Sequence, residues 1–367
     1  MGGRIICVVG TRPEVIKMAP VIRALEAAGH EPWILATAQH RHLLDQMLQV
    51  FGLRSDWDLD LMQAAQSPAS LTGRMLPALD AILAEAPPDL VMAQGDTATV
   101  FTSALAAFYR GLPFAHVEAG LRSGDLSAPF PEEGLRRLTA QITALHFAPT
   151  DQAKRSLLRE GIPEGAIEVV GNSVIDALLA TVDRSDLPEP RVRGPFALVT
   201  LHRRESFGRP IREILEALRT LARAHPEYTL LYPVHPNPQV HGPAYEILGG
   251  VPNVSLCDPL DYLELVAHLR VCHAVFTDSG GLQEEGPALG KPVLVFRDTT
   301  ERPEAVEAGG ARLVGSDPVR FLAEAERLLT DPDHYAAFAR PRFPYGDGRT
   351  GPRIAARVSG FLAGRRP

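Results

Sequence analysis

Only three cysteines occur in 367 residues, Cys7, Cys257 and Cys272. They are far apart and lie in or beside apolar segments, and an odd count at such spacing argues against a disulfide framework. They read as buried thiols of a reducing compartment. Lysine is nearly missing: Lys17, Lys154 and Lys291 are the whole set, and arginine carries the remaining positive charge. The formal net charge of −7 argues against a nucleic-acid partner. No apolar run is long enough to span a bilayer, so no membrane partner is expected. The N-terminal apolar stretch Ile5-Ile6-Cys7-Val8-Val9 is too short for a signal peptide and runs directly into Thr11-Arg12-Pro13-Glu14. It reads as a first strand, and the protein as cytoplasmic. No Gly-x-Gly-x-x-Gly follows that strand, which speaks against a nicotinamide or flavin cofactor. No cluster has metal-ligand spacing, and nothing looks like a Ser-His-Asp nucleophile elbow. No cofactor and no metal are expected.

What is present is an ordinary globular composition, 45% hydrophobic and 22% charged, in a chain long enough for two domains. Short apolar runs alternate with amphipathic stretches. The spacing predicts strands at Ile5–Val9, Glu31–Ala36, Leu90–Gln94, Phe114–Glu118, Leu145–Ala148 and Ile167–Val170, with helices between them. Ala180 to Pro195, rich in Pro, Asp, Glu and Arg, reads as a linker. A second series follows, with strands at Phe196–Thr200, Thr229–Pro233, Val254–Leu256, Ala274–Thr277, Val293–Phe296 and Ala311–Val314. Continuous apolar strands joined by helical crossovers indicate parallel sheets. The expected fold class is α/β, two doubly wound Rossmann-like domains facing each other across a cleft. The expected domains are residues 1–180, 195–350 and a C-terminal helix within 351–367 that returns to the first domain.

Ligands of such sheets bind beyond the C-terminal strand ends, and the unusual residues of this chain cluster there. Asp278-Ser279-Gly280-Gly281-Leu282-Gln283-Glu284-Glu285 links an apolar run to a short helix. It is either a tight connection or an anion site, with backbone amides and close approach at Gly280 and Gly281, and with Glu285 placed to accept sugar hydroxyls. Gly10-Thr11-Arg12-Pro13-Glu14-Val15-Ile16-Lys17 brings Arg12 and Lys17 near a helix start, an environment suited to pyrophosphate. Alternatively Arg12 pairs with Glu14. Asp96 is either a helix N-cap or a functional carboxylate. Glu118 ends an apolar strand, where a carboxylate is costly unless paired or used. Glu132 follows Pro129-Phe130-Pro131, and Arg136 lies four residues later, on the same helix face. His202 sits in Leu201-His202-Arg203-Arg204-Glu205-Ser206-Phe207-Gly208, and His235 in Val234-His235-Pro236-Asn237-Pro238.

Together these segments, with Arg297-Asp298-Thr299-Thr300-Glu301-Arg302-Pro303-Glu304, resemble the non-hydrolysing UDP-N-acetylglucosamine 2-epimerases nearly end to end. The resemblance implies a glycosyltransferase-B type fold, a homodimer, and reversible conversion of UDP-N-acetylglucosamine to UDP-N-acetylmannosamine for polysaccharide biosynthesis. It implies catalysis by Asp96, Glu118, Glu132, Arg136 and His202. It implies nucleotide binding by Arg12, Lys17, His235, Ser279, Gly280, Gly281, Glu285 and Arg312. Some bacterial members bind a second substrate molecule as activator, near residues matching Gln39-His40-Arg41 and Gln46. One departure is Leu201, where the family commonly has glycine; leucine is expected to crowd a close backbone approach beside His202.

Inverting C2 requires its proton to leave one face and return on the other. Without a nicotinamide, elimination of UDP to 2-acetamidoglucal and readdition is the expected route. It needs cations and amides at the departing diphosphate and at least two acid/base groups. A hydrolysing epimerase releasing N-acetylmannosamine and UDP, and a UDP-sugar transferase of the same fold, are the alternatives.

Overall fold

The computed structural model describes residues 2–37, 41–61, 67–203 and 206–365. Two compact units account for the chain: Met1–Ala177 with Tyr345–Pro367, and Leu178–Pro344.

The first unit contains β1 (Arg4–Val9), α1 (Arg12–Ala27), β2 (Glu31–Ala36), α2 (Arg41–Val50), β3 (Trp57–Asp58), α3 (Pro68–Glu85), β4 (Leu90–Gln94) and α4 (Ala98–Tyr109). β5 (Phe114–Val117), α5 (Glu132–Gln141), β6 (Leu145–Ala148), α6 (Asp151–Arg159) and β7 (Ile167–Val169) follow, and α7 (Ser173–Val182) begins in this unit and ends in the second. All pairings are parallel, in the order β3-β2-β1-β4-β5-β6-β7. The order reverses between β1 and β4, so the loops leaving these two strands are neighbours although about 85 residues separate them. β4 shows why the strand was legible: all five residues of Leu-Val-Met-Ala-Gln are buried, packed from both faces.

The second unit contains β8 (Phe196–Thr200), α8 (Arg209–Ala224), β9 (Thr229–Pro233), α9 (Pro238–Leu248), β10 (Val254–Cys257), α10 (Tyr262–Val271) and β11 (Ala274–Thr277). It continues with α11 (Leu282–Ala288), β12 (Val293–Val295), α12 (Pro303–Glu307), β13 (Ala311–Leu313), α13 (Pro318–Thr330) and α14 (Pro332–Phe338). Its parallel order, β10-β9-β8-β11-β12-β13, reverses between β8 and β11. α8 shows how such a layer forms. Ile211, Ile214, Leu215, Leu218 and Leu221 recur at helical spacing and are buried, each worth roughly 1.5–3 kcal/mol. On the exposed side Arg209 pairs with Glu213 one turn on, at 2.7 Å.

The last helix, α15 (Thr350–Arg365), lies against α1. A Cβ at Gly351 would stand 2.6 Å from the Pro20 carbonyl oxygen, so only glycine admits this approach. The Gly351 amide also donates to Asp176 Oδ1 at 2.8 Å. The segment read as a linker from Ala180 is helical to Val182, because Thr181 still packs inside and no helix breaker occurs before Pro188. No described helix is long and apolar enough to cross a membrane.

Candidate active site

In the first unit the acidic residues gather at the ends of β4 and β5 and at the start of α5. Asp96 does not cap α4; Thr97 occupies that position. The Asp96 carboxylate instead meets Arg136, whose Nε and terminal nitrogen reach Oδ2 at 2.9 and 2.6 Å. Arg136 is buried, turned toward Asp96, and also lies 3.5 Å from Glu133. Glu132 begins α5, and its Oε2 is buried without a hydrogen-bond partner among the described residues.

Glu118 has φ of +65°, a left-handed conformation that costs a residue with a side chain on the order of 1–3 kcal/mol. Its carboxylate is held from three directions. Lys17 Nζ donates to Oε1 at 2.6 Å, Asn172 Nδ2 donates to Oε1 at 2.7 Å, and Gln94 Nε2 donates to Oε2. Lys17, expected near a diphosphate, lies in the second turn of α1 and pairs with this carboxylate. Gln94 and Asn172 were not anticipated. Gln94 could have been noticed as a polar residue closing an apolar strand; nothing local marks Asn172. Arg12 opens α1 and is half-buried.

The same rim contains a buried carboxylate that the motif reading passed over. Glu14 Oε2 accepts the amides of Gly10 at 2.5 Å and Thr11 at 3.1 Å, and Oε1 accepts the Thr97 hydroxyl at 2.7 Å. Burial pushes its carboxyl up to about 7, against the pull of these bonds, with Asp96 adding to the rise. His116, one strand over, donates from Nε2 to the Gly95 carbonyl at 2.7 Å, and burial pushes its ring down to about 4.

In the second unit the loops after β8 and β11 meet at the reversal of strand order. Asp278 is fully buried and acts as their tie: Oδ2 accepts the amides of His202 and Arg203, both at 2.8 Å, and Oδ1 lies 3.1 Å from His202 Nδ1. The His202 and His235 rings stack with centroids 6.1 Å apart. Burial, and then the neighbouring His202, lower the pKa of His235. His202, His235, Ser279 and Glu285 line a pocket of about 210 Å³ with apolar walls from Leu201, Leu260 and Leu282. Leu201 contributes to this pocket wall from the end of β8. Its side chain is buried in the core of the unit, and its backbone needs no positive φ. Arg204 and Glu205 of the same motif lie outside the described residues, as do Gln39 and His40.

The Ser279-Gly280-Gly281 turn leads into α11, a helix of only seven residues. The Ser279 amide is already used by the Thr277 hydroxyl, at 2.8 Å. Gly280 has a packing reason to be small: a Cβ there would stand 2.6 Å from the Arg302 guanidinium. Arg302 is fixed in turn by Glu284 at 2.5 Å and Glu301 at 2.7 Å. Glu301 also receives Arg203 at 3.2 Å and Arg297 at 2.7 Å. Burial would raise its carboxyl, but Arg302, Arg297 and Arg203 together hold it well below the usual range. Arg312 was also expected at the nucleotide. It sits on β13, pairs with Glu324 of α13 and lies 5.5 Å from the Phe338 ring of α14, apart from the pocket-lining residues. Among the described residues no group of His, Cys, Asp and Glu is arranged to hold a metal ion.

A family model described as UDP-N-acetylglucosamine 2-epimerase matches residues 23–359. The UDP-N-acetylglucosamine 2-epimerase of Escherichia coli (strain K12) is 48% identical over 365 residues, 96% of this chain and 97% of its own length. The crystal structure of UDP-GlcNAc 2-epimerase from Neisseria meningitidis bound to UDP-GlcNAc aligns with a TM-score of 0.91 at 40% identity, over 97% of this chain and 100% of that one. That of the Methanocaldococcus jannaschii UDP-GlcNAc 2-epimerase in complex with UDP-GlcNAc and UDP aligns at 0.82 with 32% identity, over 98% and 99%. Full-length similarity at these levels, on a fold of two doubly wound parallel sheets, leads to one conclusion: the chain belongs to the UDP-N-acetylglucosamine 2-epimerase family.

Proposed function

We propose that this protein interconverts UDP-N-acetylglucosamine and UDP-N-acetylmannosamine by eliminating UDP and adding it back, without releasing free sugar. The observation that carries the reading is the set of three carboxylates at the strand-end rim of the first unit, each in a different state. Asp96 is bonded to Arg136, Glu118 is bonded to Lys17, Gln94 and Asn172, and Glu132 has an unpartnered buried oxygen. A C2 inversion needs a group to take a proton from one face and a group to return one to the other.

In the forward step a base removes the C2 proton. The C–H electrons form the C1–C2 double bond, and the C1–O bond breaks toward the diphosphate. UDP departs as an anion, leaving 2-acetamidoglucal. Readdition reverses these events with the proton delivered to the opposite face. Asp96, Glu118 and Glu132, with Arg136 and His202, are the groups assigned to these steps. Arg12, His235, Ser279, Gly280, Gly281 and Glu285 are assigned to the nucleotide. Lys17 acts through Glu118 in this scheme, and Arg312 is left out, since its charge is spent on Glu324. The stacked histidines and apolar walls of the second-unit pocket suit a planar pyrimidine. The active form is a homodimer, and it works in the cytoplasm.

The test is NMR of the purified protein with UDP-N-acetylglucosamine in deuterated water, without added cofactor. The expected result is the manno epimer carrying deuterium at C2. Epimer without C2 deuterium refutes elimination, and free N-acetylmannosamine with UDP makes the enzyme a hydrolysing one. Turnover only in the presence of an acceptor indicates a transferase.

A further inference from the structure

The loops that leave β1 and β4 are joined by a single carboxylate. Glu14 binds the two amides of its own loop, Gly10 and Thr11, as a helix-capping residue would. Its other oxygen, however, takes the hydroxyl of Thr97, 83 residues away. Thr97 is the N-cap of α4, yet its side chain makes no bond to its own helix. Such a bond is normally worth about 0.5–2 kcal/mol, so the hydroxyl has been turned across to α1 in preference to the local partner. On the other side, His116 of β5 donates from Nε2 to the carbonyl of Gly95. A carbonyl can only accept, so the ring proton is on Nε2; Nδ1 is buried without a partner and the ring is neutral. Residues 95, 96 and 97 are thus held by side chains from β5, α5 and α1 respectively.

We infer that Glu14 and His116 are positioning residues for Asp96, fixing the loop so that its carboxylate, braced by Arg136, is presented in one place. The inference rests on the reading of Asp96 as an acid/base group. A cap serving α1 alone would need only the Gly10 and Thr11 bonds. The Thr97 bond adds nothing to α1 and fixes the residue next to Asp96.

Thr97→Val removes the tie with little change in shape, and Thr97→Ser restores it. Glu14→Gln also keeps it, since the amide oxygen accepts from Gly10 and Thr11 while the NH2 donates to the Thr97 oxygen. The measurements are kcat with UDP-N-acetylglucosamine and UDP affinity by calorimetry. Because small misplacements at a reacting centre cost up to about a hundredfold, Thr97→Val is expected to lower kcat about tenfold with UDP affinity within about twofold, and Thr97→Ser and Glu14→Gln to stay within about threefold of wild type. Glu14→Asp, one methylene too short to reach both loops, is a second break and is expected to match Thr97→Val should that variant fail to fold. Wild-type kcat in the broken variants, no rescue by serine, or a loss of UDP affinity in place of kcat overturns the inference. A wild-type protein that leaves UDP-N-acetylglucosamine unchanged refutes the proposed function itself, and the inference falls with it.

Discussion

Exchanging Glu14 for glutamine removes a titration from the interior of the first unit while leaving its hydrogen bonds satisfiable. Glu14 is 2% exposed, and burial moves its carboxyl from the ordinary 4.5 to about 7. Between those values the folded protein holds a proton that the unfolded chain has released. A native state that binds the extra proton loses stability as the pH rises through that window, and the loss is complete above the folded value. At about 1.4 kcal/mol per tenfold, the whole interval is worth about 3 kcal/mol. The variant has no such loss. Relative to wild type it is therefore expected to gain about 2–3 kcal/mol between about pH 5 and about pH 8. The chain's two tryptophans, Trp33 and Trp57, both lie in the first unit with ring centroids 5.5 Å apart. Their fluorescence in urea titrations reports on that unit, and equal slopes in the two proteins allow midpoints to be compared. A stability difference that stays constant to within about 0.5 kcal/mol across the range refutes the reasoning. It would mean that the Thr97 hydroxyl and the two amides solvate the carboxylate as well as water does.

Asp96→Asn is expected to lower kcat by about 10²–10⁴-fold with UDP affinity, measured by calorimetry, little changed. Weakened UDP binding with intact turnover would move Asp96 to the nucleotide. Gly280→Ala is expected to cost about 1–3 kcal/mol of stability and to weaken UDP binding, because the added methyl meets an Arg302 side chain pinned at both ends by Glu284 and Glu301. Urea midpoints and calorimetry check both effects, and an unchanged protein would show that Arg302 yields easily. Glu301→Gln leaves Arg203, Arg297 and Arg302 facing a neutral amide and is expected to cost about 3–5 kcal/mol. The Glu301 carboxyl is depressed, so its contribution is present above the ordinary carboxylate range and is lost only as the pH falls toward its lower folded value. The destabilisation, followed by far-ultraviolet circular dichroism, is therefore expected to persist in mild acid. A variant equal to wild type there refutes the three-arginine account.

The architecture was readable because a doubly wound sheet writes itself locally. β2, β4, β6, β8, β9 and β11 have the limits expected from their apolar runs alone. β3 was not seen, since two residues paired only through Leu35–Trp57 and Ala36–Asp58 leave no periodic signal. The side-chain pairs around the candidate site residues were much less readable. Arg136 illustrates the difference. Spacing along a helix suggests Glu132, four residues away, but the rotation of α5 aims the guanidinium at Asp96, forty residues away. The Arg312 pair with Glu324 of α13 was equally invisible to spacing and motif.

Strand order explains why pairs escape such reading. At a reversal of order the two central strands are adjacent in space but distant along the chain, and their loops must be held together by side chains found by neither periodicity nor motif. Each sheet solves this with one buried carboxylate. In the first unit Glu14 joins the loops after β1 and β4 through Gly10, Thr11 and Thr97. In the second Asp278 joins the loops after β8 and β11 through the amides of His202 and Arg203. Both are acidic residues inside recognisable motifs, and residue type alone would assign them to ligand chemistry. Their bonds tie the loops together, and under the proposed function the chemistry falls to Asp96 and His202, which those loops present.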